Sequence, residues 1–261
     1  MKASFWLLLA DFGFAMKKQK RMSDFAVAAS KKRKRSTTQK KHTTLSANYF
    51  ANLLDTDPVY LNPSSSWYIL AKGWKSTPSS QAFDEEWQLH PEQRHTLRIY
   101  GRTVLEKRWS QSWGQSYSYS GATNPGKPVA GRVADLLETA NDWAEPIVHE
   151  RPYNACLQNW YTPDDTIGLH ADDEKVNRLE FPILSLSWGG PRRFLFRERE
   201  DSKNKVELFL EDGDLLIMGG TCQETHRHEV PKRRTTMDPP TENRINWTLR
   251  AFQATNNKPP R

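Results

Sequence analysis

A histidine and an aspartate lie two residues apart in the segment "IGLHADDE", residues 167–174. His170 and Asp172 follow a short apolar run that is typical of a β-strand. Side chains at positions i and i+2 of a strand point to the same face, so both residues can bind one metal ion if the strand continues through Asp172. Such pairs are common by chance, and the hypothesis of a metal site needs a third ligand.

Two later histidines can supply that ligand, because "THRHEVP" holds His226 and His228 on one face of a second predicted strand. Either histidine can complete a set of two histidines and one carboxylate. This set is the facial triad of non-heme Fe(II) oxygenases, which leaves coordination positions open. Zinc accepts the same ligands, and a chance arrangement also stays open at this point.

The segment "NRINWTLRAF", residues 243–252, alternates polar and apolar residues as a strand does, and its polar face carries Arg244 and Arg250. Six residues of strand span about 20 Å, and two arginines that lean toward each other leave a gap suited to a small dicarboxylate. A solvent-facing edge strand with ordinary arginines explains the alternation equally well. Asn159 and Tyr161 share a face in a similar way, and an amide and a phenol are suitable partners for the oxygen atoms of a keto acid.

The elements that must position these residues are mainly strands. From Tyr153 onward, seven or eight short apolar runs separated by turns indicate an antiparallel sandwich or barrel. Residues 127–145 predict a core-facing helix with Pro128 at its start. Its apolar face comprises Val129, Val133, Leu136, Leu137, Ala140 and Trp143. We expect one or two strands over residues 95–109 and irregular structure over 46–96.

The charge of the 261-residue chain is unevenly distributed. Residues 1–42 hold twelve Lys and Arg and only two acids, whereas the remaining residues hold 26 basic and 29 acidic side chains. We therefore expect residues 1–45 to be a disordered basic tail. Any nucleic-acid contact of the slightly acidic body must use local patches. Two cysteines support neither a disulfide framework nor a thiolate zinc module, and they suit a reducing compartment.

Within the tail, "KKRKR" at residues 31–35 is a candidate nuclear import signal, and the alternative is a solubilising tail. We expect a nuclear protein. The apolar stretch "FWLLLADFGFA" near the start resembles the core of a signal peptide, but Asp11 interrupts it and it is too short to span a membrane. Secretion and membrane association are therefore not expected.

The segments "NWY" (159–161), "HADDE" (170–174), "HEVP" (228–231) and "RINWTLR" (244–250) together resemble the AlkB family of Fe(II)/2-oxoglutarate dioxygenases. The last segment is similar to the R-x-N-x-T-x-R signature of that family, which is more specific than H-x-D alone. The resemblance implies an α+β, mainly β fold with a double-stranded β-helix (jelly-roll) core, flanking helices and an N-terminal substrate-recognition extension. It implies Fe(II) bound by His170, Asp172 and His228, and 2-oxoglutarate bound by Asn159, Tyr161, Arg244 and Arg250 with support from Asn246.

The stretch "IYGRTVLEKRWSQSWG" followed by "YSYSG" is similar to the branch of the family that repairs duplex DNA. In that branch an apolar–aromatic–Gly wedge fills the space left by a flipped base. The residues implied here for substrate binding are Ile99, Tyr100 and Gly101 in the wedge, Arg102 and Arg108 at phosphate, Tyr119 stacked on the flipped base and Glu174 at the exocyclic amine. Core packing is the alternative for the two tyrosines, and Asp173 has no assigned role.

The implied function is DNA alkylation repair. 1-Methyladenine and 3-methylcytosine would be demethylated with Fe(II), 2-oxoglutarate and O2, releasing succinate, CO2 and formaldehyde. The same chemistry on RNA or single-stranded nucleic acid is one alternative, and a catalytically inactive jelly roll that binds nucleic acid is another. We expect a monomer that acts on double-stranded DNA. Its organisation is a tail (1–45), an extension with the lid and helix (46–150), the dioxygenase core (151–253) and a C-terminal tail (254–261).

Overall fold

The computed structural model describes residues 45–99, 101–119, 122–234 and 238–253. For Ile99, residues 117–119 and Ala122 it describes the backbone alone. The predictions for the basic tail with its "KKRKR" signal, for Tyr100 and for the C-terminal tail fall outside these residues, apart from Leu45 at the end of the tail. The described residues lie in the compact unit Thr44–Arg261.

Four helices occur in the described part of the chain. They are α1 (Ala47–Leu54), α2 (Ser80–Trp87), α3 (Gly131–Val148) and the single turn α4 (Cys222–Thr225). The serines that indicated irregular structure instead begin two of these helices, because Ser46 accepts a hydrogen bond from the Tyr49 amide and Ser79 accepts one from the Ala82 amide. The prediction of irregular structure over 46–96 is therefore wrong. No helix in these ranges is long and apolar enough to cross a membrane.

Sixteen strands are found in the same ranges. They are β1 (Val59–Tyr60), β2 (Ser66–Ala71), β3 (Thr96–Ile99), β4 (Arg102–Leu105), β5 (Trp109–Trp113), β6 (Tyr117–Tyr119), β7 (Ala122–Asn124), β8 (Gly126–Lys127), β9 (Ala155–Tyr161), β10 (Ile167–His170), β11 (Ile183–Gly189), β12 (Arg192–Glu198), β13 (Lys205–Leu210), β14 (Leu215–Gly220), β15 (His226–Val230) and β16 (Arg244–Arg250). The fold is therefore mainly β with a few helices, which confirms this part of the fold class predicted from the sequence.

Two sheets dominate the fold. The larger is a mixed sheet of eight strands in the order β1-β2-β14-β11-β16-β9-β5-β8, in which β5 and β8 are parallel and the other pairs antiparallel. The smaller has the order β10-β15-β12-β13, and β3-β4 and β6-β7 form two separate hairpins. The larger sheet takes β1, β2, β5 and β8 from residues 46–150 and its four central strands from residues 151–253, so it draws on both segments.

Apolar side chains cover both faces of the larger sheet. On one face Trp160, Trp188 and Trp247 are fully buried with Leu136 of α3 and Phe50 of α1. On the other face a second cluster joins the two sheets. It includes Leu216 and Met218 of the larger sheet and Phe194, Phe196 and Leu210 of the smaller one. Because strand side chains alternate, residues next to the tryptophans in β9 and β16 point toward the smaller sheet.

The helix predicted over 127–145 is α3, and it begins at Gly131 rather than at Pro128. Val133, Leu136, Leu137, Ala140 and Trp143 are buried, as the periodicity predicts. Val129 lies before the helix and is 39% exposed, so its assignment to the core face is wrong.

Candidate metal centre

His170 and His228 lie opposite each other on neighbouring strands. β10 pairs antiparallel with β15, and the register places His170 directly across from His228. Directly paired residues project on one face of the ladder, and the two imidazole centroids are 4.3 Å apart. His228 is buried and stacks on Phe194, whereas the His170 side chain is 30% exposed. The pair is therefore accessible from the His170 side.

Asp172 completes a cluster with these histidines. Its carboxylate oxygens lie 3.8 Å from His170 Nε2 and 3.9 Å from His228 Nε2, and one donor atom from each residue falls within 4.8 Å of the others. The strand does not continue through Asp172, which was the condition for the two residues to share a strand face, because β10 ends at His170. Hydrogen bonds hold the loop instead: the Asp172 amide donates to Gln223 Oε1, and Asn177 Nδ2 donates to the Asp172 carbonyl.

His226, the other histidine that the sequence offered, lies elsewhere. Its Nδ1 is 2.8 Å from the Thr225 hydroxyl, and its side chain lines a separate cavity with residues of β1 and β13 such as Val59 and Val206. The structure thus brings together His228, and not His226, with His170 and Asp172.

The cluster has the protonation states that a metal requires. His170 Nδ1 is 2.8 Å from the Gly168 carbonyl oxygen, so this nitrogen carries the proton and Nε2 keeps its lone pair. Burial lowers the pKa of both histidines, that of His228 to about 3. Burial alone would raise the pKa of Asp172, but Arg250 and the two histidines outweigh it and lower the pKa to about 2. Two neutral imidazoles and one carboxylate therefore fit a divalent ion such as Fe(II).

The residues expected to bind the cosubstrate lie side by side on β9 and β16. Arg244 pairs with Tyr161, and Asn246 pairs with Asn159, in the antiparallel register of these strands. All four side chains are buried. They point away from the tryptophan face and toward the smaller sheet, which carries His170 and His228.

Arg244 is a buried cation that can bind an anion. Its Nη2 donates to the Ser187 hydroxyl at 2.8 Å, but Nε and Nη1 have no hydrogen-bond partner among the described residues although the side chain is only 2% exposed. Burial lowers the pKa of Arg244 to about 10, which still leaves it charged at neutral pH. A buried cation with unpaired donors is costly, so a bound carboxylate would supply what the site lacks.

Arg250, the second arginine expected to bind the cosubstrate, contacts the metal cluster, and its contact with 2-oxoglutarate stays a prediction. Its Nη2 donates to Asp172 Oδ1 at 2.7 Å, and both side chains are buried. This contact ties β16 of the larger sheet to the loop that follows β10. Arg250 therefore orients the carboxylate of the metal cluster, while Arg244 faces the space beside it.

The hairpin expected to contact nucleic acid is exposed. Residues 102–105, which include Arg102, are exposed along the whole of β4. Gly101 forms the turn with φ of 76°, a conformation that favours glycine. Tyr100 and the side chains of Ile99 and Tyr119 lie outside the described residues. Their contacts with substrate remain predictions.

Arg108 lies inward rather than at the surface. It is 4% exposed, its Nε donates to Asn159 Oδ1 at 2.8 Å, and its Nη2 is 3.6 Å from Glu106 Oε1. This placement does not fit the expected contact with phosphate. The pairing joins residues 51 positions apart, and no local pattern in the sequence indicates it.

The loop after His170 also contains contacts that the sequence did not indicate. Glu174 Oε2 accepts a hydrogen bond from Asn177 Nδ2 at 2.9 Å, and its role at the substrate base stays a prediction. Asp173 forms an ion pair with Arg199, which also donates to the Gln223 carbonyl. Asn177, Arg199 and Gln223 therefore hold the loop, and only Asn177 is near enough in sequence to have been considered.

The comparisons with known proteins agree with this geometry. Residues 70–250 match the model of the 2OG-Fe(II) oxygenase superfamily. The DNA oxidative demethylase ALKBH2 of Bos taurus is 33% identical over 174 residues, which cover 61% of this chain and 58% of the relative. The tRNA demethylase abh1 of Schizosaccharomyces pombe is 30% identical over 138 residues, covering 50% of this chain and 44% of the relative. The chain thus spans about three fifths of the bovine relative and less than half of the yeast one.

Among solved structures, OsALKBH1 is similar with a TM-score of 0.47 and 22% identity, and the match covers 70% of this chain and 97% of that chain.

Proposed function

The chain belongs to the 2OG-Fe(II) oxygenase superfamily, and we propose that it removes N-methyl groups from bases of double-stranded DNA by oxidation. Oxygenases of this superfamily need Fe(II), 2-oxoglutarate and O2. The relatives include AlkB homologues, which confirms the resemblance to that family. One observation carries the proposal: two histidines and one aspartate form a cluster, and the neighbouring strand β16 carries a buried arginine that has two donors without partners among the described residues.

We infer that the two facing sheets form a double-stranded β-helix. The four-stranded sheet carries His170 and His228, and the eight-stranded sheet carries Arg244, Tyr161 and Asn159. The apolar cluster that joins the sheets supports this architecture. In such a fold the metal and the cosubstrate meet between the sheets, on strands and on the loop that carries Asp172.

His170, Asp172 and His228 would hold Fe(II). Three protein ligands would leave room at the metal for 2-oxoglutarate and for O2. The bound iron would supply the activation of O2 and the oxidation of the methyl group, coupled to decarboxylation of 2-oxoglutarate to succinate and CO2. Arg250 would keep the Asp172 carboxylate ionised and oriented, because a charged hydrogen bond of 2.7 Å joins them.

Arg244 would bind the distal carboxylate of 2-oxoglutarate through Nε and Nη1, the two donors that have no partner among the described residues. Tyr161 lies beside Arg244, and Asn159 lies beside Asn246. A phenol and an amide can donate to the oxygen atoms of the keto acid. Asn246 would support the site, since its Nδ2 is bonded to Ser185 and to the Leu186 carbonyl.

A methylated base must leave the duplex to reach this pocket, because a stacked base cannot enter it. Ile99, Tyr100 and Gly101 would fill the space that the base vacates, and Arg102 would contact phosphate. Tyr119 would stack on the flipped base, and Glu174 would accept a hydrogen bond from its exocyclic amine. The hydroxylated methyl group would then leave as formaldehyde, which restores the base. We place this monomeric repair enzyme in the nucleus, on the basis of the "KKRKR" segment.

Matched oligonucleotides test the substrate. The full chain is supplied with Fe(II) and 2-oxoglutarate, and formaldehyde is measured on duplex DNA, single-stranded DNA and RNA that carry 1-methyladenine or 3-methylcytosine. We expect faster release on methylated duplex DNA and none on unmethylated controls. Faster release on RNA would favour the function of the 30% identical tRNA demethylase instead. An absence of formaldehyde on every methylated strand would contradict the proposal.

A further inference from the structure

Two opposite charges are buried in the short connection between β4 and β5. Glu106 is 2% exposed and Arg108 is 4% exposed. Burial of charged groups is unfavourable unless they are paired and hydrogen-bonded. Their contacts therefore indicate what they hold.

The contacts lead to Asn159. Arg108 Nε donates to Asn159 Oδ1 at 2.8 Å, and Arg108 Nη2 lies 3.6 Å from Glu106 Oε1. Glu106 Oε2 accepts a hydrogen bond from the Ser110 hydroxyl at 2.9 Å. Ser110 is the cross-strand partner of Asn159 between β5 and β9, so both side chains lie on one face of the sheet.

This arrangement fixes the orientation of the Asn159 amide. A guanidinium group can only donate hydrogen bonds, so the oxygen of the amide must face Arg108 and the NH2 group must face away. Asn159 Nδ2 lies 3.5 Å from Asn246 Oδ1, which also accepts from Thr248. These contacts use one of the two N–H groups of Asn159, and the other remains for a ligand on the pocket face.

The orientation matters because the oxygen atoms of ionised 2-oxoglutarate can only accept hydrogen bonds. An amide turned the other way would present its oxygen to them and repel the ligand.

We propose that Arg108, held by Glu106, is a positioning residue that makes Asn159 a hydrogen-bond donor to 2-oxoglutarate. The inference rests on the proposed function only in that the chain binds 2-oxoglutarate. It replaces the contact with phosphate that the sequence led us to expect for this arginine.

The test is binding of 2-oxoglutarate to the full chain with Mn(II) in place of Fe(II), measured by calorimetry, alongside binding of a methylated duplex. Loss of a charge-assisted hydrogen bond predicts that Arg108→Met raises the Kd for 2-oxoglutarate about 10-fold. The Kd of this variant for the methylated duplex, and the salt dependence of that Kd, should equal those of the wild type. The double variant E106Q/R108M leaves no unpaired buried charge, and it should show the same weakening even if the single variant folds poorly.

Two further binding measurements distinguish the positioning of Asn159 by Arg108 from a general structural effect of the substitution. In an Asn159→Ala background, Arg108→Met should weaken 2-oxoglutarate binding no further, because coupled residues are not additive. The control Arg102→Met changes an exposed arginine of β4 and should leave the Kd for 2-oxoglutarate unchanged. It should instead weaken duplex binding and reduce its salt dependence.

The inference is overturned if the Arg108 variants weaken duplex binding and leave 2-oxoglutarate binding intact, which is the behaviour of a phosphate contact. It is also overturned if Arg108→Met has its full effect in the Asn159→Ala background. A wild-type chain that binds 2-oxoglutarate but releases no formaldehyde contradicts the proposed function alone. A wild-type chain that does not bind 2-oxoglutarate contradicts both.

Discussion

The metal cluster and the residues expected to bind the cosubstrate lie between the two sheets and are called the pocket here. The side chains of this pocket are held differently from those of the hairpin formed by β3 and β4. In the pocket, Asp172, His228 and Arg244 are each at most 5% exposed and are positioned by strand register or by hydrogen bonds. On the hairpin, residues 102–105 are all exposed. The pocket is therefore organised before any ligand arrives, which favours catalysis. The exposed side chains of β4 are not held in this way. Changes in the pocket should affect every substrate, and changes in the hairpin should affect duplexes alone.

The largest effect is expected at the metal cluster. Asp172→Ala removes a ligand and leaves Arg250 buried without its carboxylate, so demethylation should fall about 1000-fold or more on duplex and single strands alike. Asp173→Ala is the matched control, because its carboxylate is partly exposed and paired with Arg199. Formaldehyde release and metal content check both variants. Equal losses in the two variants would remove the distinction between these neighbouring aspartates.

A smaller effect is expected at the cosubstrate end of the pocket. Arg244→Met removes the buried donors and should raise the KM for 2-oxoglutarate about 100-fold, while the Kd for oligonucleotide stays the same. Arg234→Met serves as a control, because that arginine pairs with Glu207 and Asp238 away from the pocket. Steady-state kinetics with varied 2-oxoglutarate give the comparison. An unchanged KM in Arg244→Met would show that the carboxylate binds elsewhere.

On the hairpin, the effect should depend on the substrate. Tyr100→Ala should lower turnover on methylated duplex about 10-fold and leave single strands nearly unchanged, because only a duplex needs the vacated space to be filled. Tyr60→Ala is the control, since Tyr60 is exposed on β1. An equal loss on both substrates would assign Tyr100 to the pocket rather than to the duplex.

The smallest effect is expected at the hairpin turn. Gly101 has a φ of 76°, and a Cβ added there meets no atom of the described residues within 4 Å, so Gly101→Ala introduces backbone strain of about 1 kcal/mol without a clash with them. We expect a decrease of about 3-fold in duplex turnover at most, because the strain is small and lies beside the exposed strand β4. The free energy of global unfolding, measured with denaturant, should change little. A large loss of stability would mean that the hairpin belongs to the cooperative core.

The sequence predicted those features that a local pattern encodes. Alternation in β16 identified Arg244 and Arg250 on one face, and the periodicity of α3 identified its buried residues. The spacing of two residues also pointed to His170 and Asp172, although it did so for an incorrect reason. Asp172 reaches the cluster from a loop held by Gln223 and Asn177, and not from a strand.

Contacts between residues that are far apart in the sequence could not be predicted from a local pattern. The ion pair of Arg250 with Asp172 joins residues 78 positions apart, and Arg108 meets Asn159 across 51 positions. Arg108 was assigned to phosphate because it is close in sequence to the predicted wedge of residues 99–101, but the chain turns inward before β5 and buries it. Serine caps likewise begin α1 and α2 in a region whose composition indicated no regular structure.

The most direct test measures formaldehyde and succinate together on a duplex that carries one 1-methyladenine, with wild-type protein and with Asp172→Ala. We predict equal amounts of the two products from the wild type, dependent on Fe(II) and on the methyl group, and neither product from the variant. Succinate without formaldehyde, or full product release by Asp172→Ala, would contradict the assignment of oxidative demethylation to this pocket.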